Sequence, residues 1–183
     1  MRITKARAAA TAATITAVAA AGVAAPSNAQ YQDIPKPATV EMVMKGKLPV
    51  FKGPKTVSKG AKLTIVNKTS LKQIGPHTFS LVKPAKVPSK KQWKQCGEKL
   101  ELLCGEIARA HKVNMETGQP GKVFLDVGKK GFDKSFGKKG DSWFTDAKGD
   151  EFSRKVTAKA GSTLTYFCAV HPNMVGKIKV TKK

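Results

Sequence analysis

Cys168, His171 and Met174 share the string Tyr166-Phe167-Cys168-Ala169-Val170-His171-Pro172-Asn173-Met174, and His77 stands far upstream in Gly75-Pro76-His77-Thr78-Phe79. A thiolate, two imidazoles and a thioether form a specific donor set. Soft sulfur together with imidazole suits copper, and a Cys/His/His plane with a weak Met is the donor set of trigonal one-electron copper centres. Zinc accepts Cys and His in tetrahedral sites, but the thioether argues against it as the native metal. Two readings without a metal also stand against this one. Cys168 is a buried core thiol with Met174 as packing, or Cys168 and His171 form a nucleophile and base. The second lacks an orienting third group and an oxyanion donor.

The loop Cys-x-x-His-Pro-x-Met after an aromatic strand resembles the ligand loop of the cupredoxins of the plastocyanin/azurin family, in its short, amicyanin-like form. Val175-Gly176-Lys177-Ile178-Lys179-Val180 is similar to that family's final strand, and Pro76 before His77 also fits it. The similarity covers roughly residues 37–82 and 122–183 and leaves out 83–121. It implies an all-β, Greek-key β-sandwich that holds one mononuclear type 1 copper ion. His77, Cys168 and His171 would form the trigonal plane, with Met174 as the weak axial ligand. It further implies that His171 reaches the surface, with Val170, Pro172, Asn173 and Val175 as a mostly apolar rim where a redox partner docks. Thr78 occupies a position where the family often has asparagine, and it is expected to hydrogen-bond across to the Cys168 loop.

Those ligands need strands to carry them. Period-2 alternation predicts strands at Val40–Met44 and Ala61–Asn67, and further strands at Thr78–Val82, Val123–Val127, Phe152–Ala158, Leu164–Cys168 and Lys177–Thr181. Residues 49–54, bounded by Pro49 and Pro54, read as turns, and Asn67 to Pro76 reads as a loop that delivers His77. Residues 128–150 read as a long loop whose aromatics, Phe132, Phe136, Trp143 and Phe144, tuck onto the sandwich. Several short strands at turn-bounded spacing indicate a β-sandwich.

Residues 83–121 change character and read as a helical insertion. Ser89-Lys90-Lys91-Gln92 fits a capping box. A second helix is expected from about Glu98 to Ala110, with Leu100, Leu103 and Ile107 on one face. His111 follows it and reads as solvated surface. Trp93 and Trp143 are expected to fill core gaps, and Met42, Met44 and Met115 to be scattered packing residues rather than a copper-delivery motif.

Arg2, Lys5 and Arg7 precede an uncharged stretch rich in Ala, Val and Thr, followed by Ser27-Asn28-Ala29. This pattern reads as a secretory signal over 1–29, with one domain over 30–183 and a periplasmic, extracellular or cell-surface location. The other reading of that stretch is a retained membrane anchor. In an oxidising compartment two of the three cysteines are expected to pair. Cys96 and Cys104 are the natural pair, leaving Cys168 free. Eight residues of unbroken helix span about 12 Å, too far for a disulfide, so the chain must bend between them.

Removing the three basic side chains of residues 1–29, which contain no acidic one, takes the formal net charge from +22 to +19. Beyond residue 29 the basic residues are lysines except Arg109 and Arg154. Lysine lacks the planar fork that grips phosphate or guanine, and the lysines are spread rather than striped, so nucleic acid is not the expected partner. A diffuse positive field fits an acidic redox protein, anionic envelope polymers or lipid headgroups. The leading function is an exported, non-enzymatic one-electron carrier. The alternatives are a copper-handling protein for storage or delivery, and a metal-free binding module that uses the insert as its contact surface.

Overall fold

The computed structural model describes residues 34–96, 99, 101–114, 116–128, 130–133 and 140–183. The signal-segment reading of 1–29, Phe136, Met115, Gly97, Glu98 and Leu100 lie outside the described residues. Among the described residues, ten strands form two packed sheets. They are β1 (Ala38–Lys45), β2 (Leu48–Lys52), β3 (Thr56–Ser58), β4 (Lys62–Asn67), β5 (His77–Val82), β6 (Phe124–Leu125), β7 (Ser142–Thr145), β8 (Glu151–Lys155), β9 (Thr163–Phe167) and β10 (Val175–Thr181). One sheet runs β2-β1-β4-β8 and the other β3-β10-β9-β5-β7-β6. The expected all-β sandwich with a small helical insertion is the fold observed. No helix among the described residues is long and apolar enough to cross a membrane.

The core lies between the sheets and follows the alternation of the strands. Val40 and Met42 from β1, Leu63 and Ile65 from β4, Leu164 and Tyr166 from β9, and Ile178 and Val180 from β10 all point inward. Phe79 on β5 sits at the centre, stacked on Tyr166 at 4.8 Å and edge-on to Phe132 at 5.4 Å. Aromatic pairs of this geometry add to plain burial.

Every residue of β5 is buried, which a half-exposed sheet cannot explain. The insertion supplies the reason. Helices α2 (Lys90–Trp93) and α3 (Leu103–Ala110) follow β5 in sequence. Cys96, Leu103, Cys104 and Ile107 from this region pack with Val82 and Phe167 as a second apolar cluster. The insert thus covers the outer face of β5 and β9. The Ser89 amide donates to Gln92 Oε1 at 2.9 Å, one half of the expected capping box. Cys96 and Cys104 are disulfide-bonded across a Cα separation of 5.3 Å, because α3 begins only at Leu103 and no straight helix joins them.

Several local expectations are corrected. Residues 49–54, read as turns, contain strand β2, because Pro49 lies on an edge strand, where a missing N–H is tolerated. The long loop over 128–150 contains β7, whose Ser142-Trp143-Phe144-Thr145 is fully buried. The loop before His77 holds a short helix α1, Leu71–Ile74. The strand expected over Val123–Val127 shrinks to Phe124–Leu125. Trp143 is a core residue, whereas Trp93 is half-buried, its indole N–H donating to the Pro88 carbonyl at 3.0 Å.

Gly176 on β10 pairs directly with Tyr166 on β9, and the Tyr166 ring lies where a Cβ on residue 176 would stand. An aromatic ring over a strand glycine leaves no room for a side chain. Gly176→Ala is therefore expected to destabilise the domain by about 1–3 kcal/mol through overpacking, read as a lower urea midpoint at unchanged m-value.

Candidate metal centre

Sheet pairing unites residues that the sequence separates. β5 lies antiparallel beside β9, with Ser80 opposite Phe167, and β9 lies beside β10. His77 opens β5, Cys168 follows the last residue of β9, and Met174 precedes β10. The ligand atoms of His77, Cys168 and His171 all lie within 4.8 Å of one another. Cys168 Sγ is 3.8 Å from His77 Nδ1 and 3.7 Å from His171 Nδ1. The two imidazole rings are 4.7 Å apart and tilted.

The connecting loop is closed by its own backbone. The Cys168 amide donates to the Met174 carbonyl at 3.0 Å, and the Met174 amide to the His171 carbonyl at 2.8 Å. Met174 is buried beside Cys168 in the same core cluster. Thr78 ties the two ligand segments together, as expected. Its amide donates to Cys168 Sγ at 3.4 Å, and its hydroxyl accepts from the Ala169 amide at 2.8 Å.

The far nitrogens of the histidines settle their tautomers. His171 Nε2 is 2.8 Å from the Ile74 carbonyl, which only accepts, so Nε2 carries the proton. His77 Nε2 is 2.7 Å from Thr69 Oγ1, whose own proton is donated to Asn67 Oδ1 at 2.7 Å. Thr69 must therefore accept, and His77 Nε2 is also the protonated nitrogen. Both Nδ1 atoms are left as bare lone pairs facing one buried sulfur. Neutral imidazoles fixed in this way are the form that ligates a metal.

Burial lowers the pKa of His77 to about 4, with repulsion from His171 adding to it. Burial also lowers His171, partly opposed by its bond to Ile74. The Cys168 thiol is pushed up by burial, partly opposed by hydrogen bonds from Thr78. The cluster is thus electrically neutral without a metal, and a bound cation replaces the thiol proton. Two soft-to-borderline nitrogens, a buried sulfur and an adjacent thioether residue fit copper well.

Two features escaped sequence reasoning. His111, expected as solvated surface, is buried at 1% exposure. Its Nδ1 meets the Lys122 carbonyl and its Nε2 the Ser142 hydroxyl, at 2.8 Å. The insert buries it against the sheet. Thr69 falls in the predicted loop and Asn67 at the end of the predicted strand Ala61–Asn67, and neither is singled out there, yet both are buried polar residues directly behind His77. The Asn67-x-Thr69 turn, in which Asn67 Oδ1 accepts from the Thr69 amide, was the available clue.

The family model described as copper binding proteins, plastocyanin/azurin family, matches residues 38–181, and the chain belongs to that family. It is a copper protein of the cupredoxin type. The chain is similar to a copper-containing nitrite reductase from Thermus scotoductus SA-01, at 17% identity and TM-score 0.40, over 80% of this chain and 23% of that one. It is similar to a novel purple cupredoxin from Nitrosopumilus maritimus, at 14% identity and TM-score 0.40, over 79% of this chain and 99% of that one. It is also similar to auracyanin A, a "blue" copper protein from Chloroflexus aurantiacus, at 17% identity and TM-score 0.41, over 79% of this chain and 99% of that one. No curated protein matches the chain.

A histidine with a depressed folded pKa binds its proton more readily when unfolded. Between the ordinary value of 6.5 and about 4, the unfolded chain holds the extra proton at His77, so stability falls as pH falls through that window. His171 and His111 shift in the same direction. The metal-free protein is expected to be most stable above pH 6.5 and to lose stability progressively down to about pH 4, measured by urea denaturation at stepped pH.

Proposed function

We propose that this protein is an exported one-electron carrier in which His77, Cys168, His171 and Met174 would hold one type 1 copper ion. The observation that carries this reading is the pair of bare Nδ1 lone pairs facing the buried Cys168 sulfur, each fixed by a hydrogen bond on its far nitrogen. Residues 1–29 are proposed to be a secretory signal, with residues 30–183 as one domain and a location outside the cytoplasm. The disulfide between Cys96 and Cys104 supports an oxidising compartment.

Copper bound there supplies a one-electron Cu(II)/Cu(I) couple. The protein's part is to hold the donors still. Cys168 is anchored by the Thr78 amide, His77 by Thr69, His171 by Ile74, and Met174 by two backbone bonds. Donors held this firmly have little freedom to rearrange between oxidation states. A carrier rather than an enzyme is the proposed role.

Docking is proposed at the rim around His171. Val170 and Val175 are exposed there, at 42% and 36%, and Pro172 lies between them. An apolar rim permits close approach, while the excess of basic over acidic side chains, a formal +19 beyond residue 29 (+22 less Arg2, Lys5 and Arg7), steers an acidic partner. His77, Cys168 and Met174 are buried and only His171 is half-buried, which argues against copper delivery, since that needs a metal that an acceptor can reach.

Two measurements check the proposal. Copper-loaded protein is expected to show an intense visible thiolate-to-copper absorption and a reversible one-electron couple, and Cys168→Ser is expected to abolish the band. A colourless protein that passes its copper to a chelator within minutes would favour copper handling instead. The rate of electron exchange with an acidic redox protein is expected to fall steeply as ionic strength rises, measured by stopped-flow at increasing salt. A rate indifferent to salt would refute the electrostatic steering.

A further inference from the structure

Behind His77, buried polar groups run in a line from the ligand to a carboxylate. Thr69, Asn67 and Thr145 are each exposed by no more than 2%. Asp150 stands at the far end, half-buried in the turn before β8. Such groups are costly to bury unless each is hydrogen-bonded, and here each is.

The direction of every link follows from the donors and acceptors available. The Asp150 carboxylate can only accept, and Thr145 Oγ1 donates to its Oδ2 at 2.8 Å. That commits the Thr145 proton, so its oxygen accepts from Asn67 Nδ2, at 3.3 Å. The Asn67 amide is thereby oriented, with Oδ1 turned towards Thr69, where it accepts the hydroxyl proton at 2.7 Å and the backbone amide at 2.9 Å. The Thr69 oxygen then accepts from His77 Nε2–H at 2.7 Å. Thr145 Oγ1 has a second, longer acceptor in the Ala147 carbonyl, at 3.5 Å, and the Thr69 amide holds Asn67 Oδ1 in the same sense.

Three strands hold this line. Asn67 ends β4, Thr145 ends β7, and His77 opens β5 directly opposite Thr145. The Asn67 amide donates to the Asp150 carbonyl at 2.9 Å, and the Gly149 amide to the Asn67 carbonyl at 2.7 Å. The turn that carries Asp150 is therefore pinned to the strand that carries Asn67. Asp150 Oδ2 also accepts from the Ala147 amide at 3.3 Å, within the same turn.

We propose that Asp150 is a positioning residue for the metal centre. Together with the Thr69 amide it orients Asn67, and so the Thr69 acceptor behind His77, and its charge, passed along the chain, makes His77 Nδ1 a stronger donor that favours the oxidised metal. Hydrogen bonds in a low-dielectric interior polarise one another, and a carboxylate behind a ligating histidine raises ligand basicity. The usual arrangement places the carboxylate directly on the imidazole. Here three intervening side chains relay it across two strand ends. The inference rests on His77 being a copper ligand.

Two readouts test it and separate its failure from failure of the copper assignment. In metal-free protein at neutral pH, imidazole nitrogen-15 shifts are expected to show His77 as the Nε2–H tautomer. Thr69→Val is expected to lose that population and Thr69→Ser to restore it. In copper-loaded protein, Asp150→Asn is expected to raise the reduction potential while the visible band persists. The neighbouring exposed Glu151→Gln, which removes the same charge without touching the chain, is expected to shift the potential much less. Thr69→Val is expected to weaken copper binding roughly 10–100-fold. An Nδ1–H tautomer at His77 in the wild type would overturn the proposal whether or not copper binds. Equal potential shifts in Asp150→Asn and Glu151→Gln would overturn the charge relay. Should the protein bind no copper, the tautomer arm still judges the chain.

Discussion

The structure depends on a single buried sulfur. Cys168 is wholly enclosed, and a thiol in that position cannot ionise cheaply. Everything around it makes the ionised form accessible to a cation. The Thr78 amide points at it, two imidazole lone pairs face it, and no ionised acid lies against it among the described hydrogen bonds. Those groups stand where they do because β5 and β9 are neighbours in one sheet. The link between His77 and Cys168 is a property of strand pairing rather than of either loop. The Ala169–Thr78 hydrogen bond then locks the two segments in register.

The helical insertion changes what that sheet can be. Without it, the outer faces of β5 and β9 would meet water, and Val82 and Phe167 would be exposed. With it, both strands are buried on two sides, and the site rests on a sheet packed like the middle layer of a larger protein. The disulfide holds the insert's two halves together, and His111 joins the insert to the strand region through Lys122 and Ser142. A ligand set on a rigid sheet keeps its geometry better than one carried on loops.

The parts of the site legible in the sequence were the local ones. Cys168, His171 and Met174 lie in one string whose spacing carries their chemistry, and the strands around them alternate cleanly. Ser89 and Gln92 announced the insert's first helix. Features that depend on distant pairing were not legible. Strand β7 hides among glycines and charges because its burial comes from the core on one face, where Trp143 packs, and from His111 of the insert on the other, against Ser142 and Phe144. Pro49 masked β2 because position at a sheet edge, where proline is tolerated, is a tertiary fact. His111 read as surface because the face it covers includes a residue 31 positions away, Ser142. The role of Thr69 in the loop and of Asn67 at the strand end was not legible because their partners are a histidine on β5 and a threonine on β7.

The central claim is that the fold holds the copper ligands ready before the metal arrives. The most direct test is a crystal structure of the Cu(II) protein beside one of the metal-free protein. The account predicts copper bound through Nδ1 of His77 and His171 and Sγ of Cys168, near Met174. It predicts that the Thr69 and Ile74 hydrogen bonds on Nε2 are kept and that the rings superpose between the two forms. Copper bound through Nε2, rings turned by metal entry, or a metal held elsewhere on the chain would contradict it.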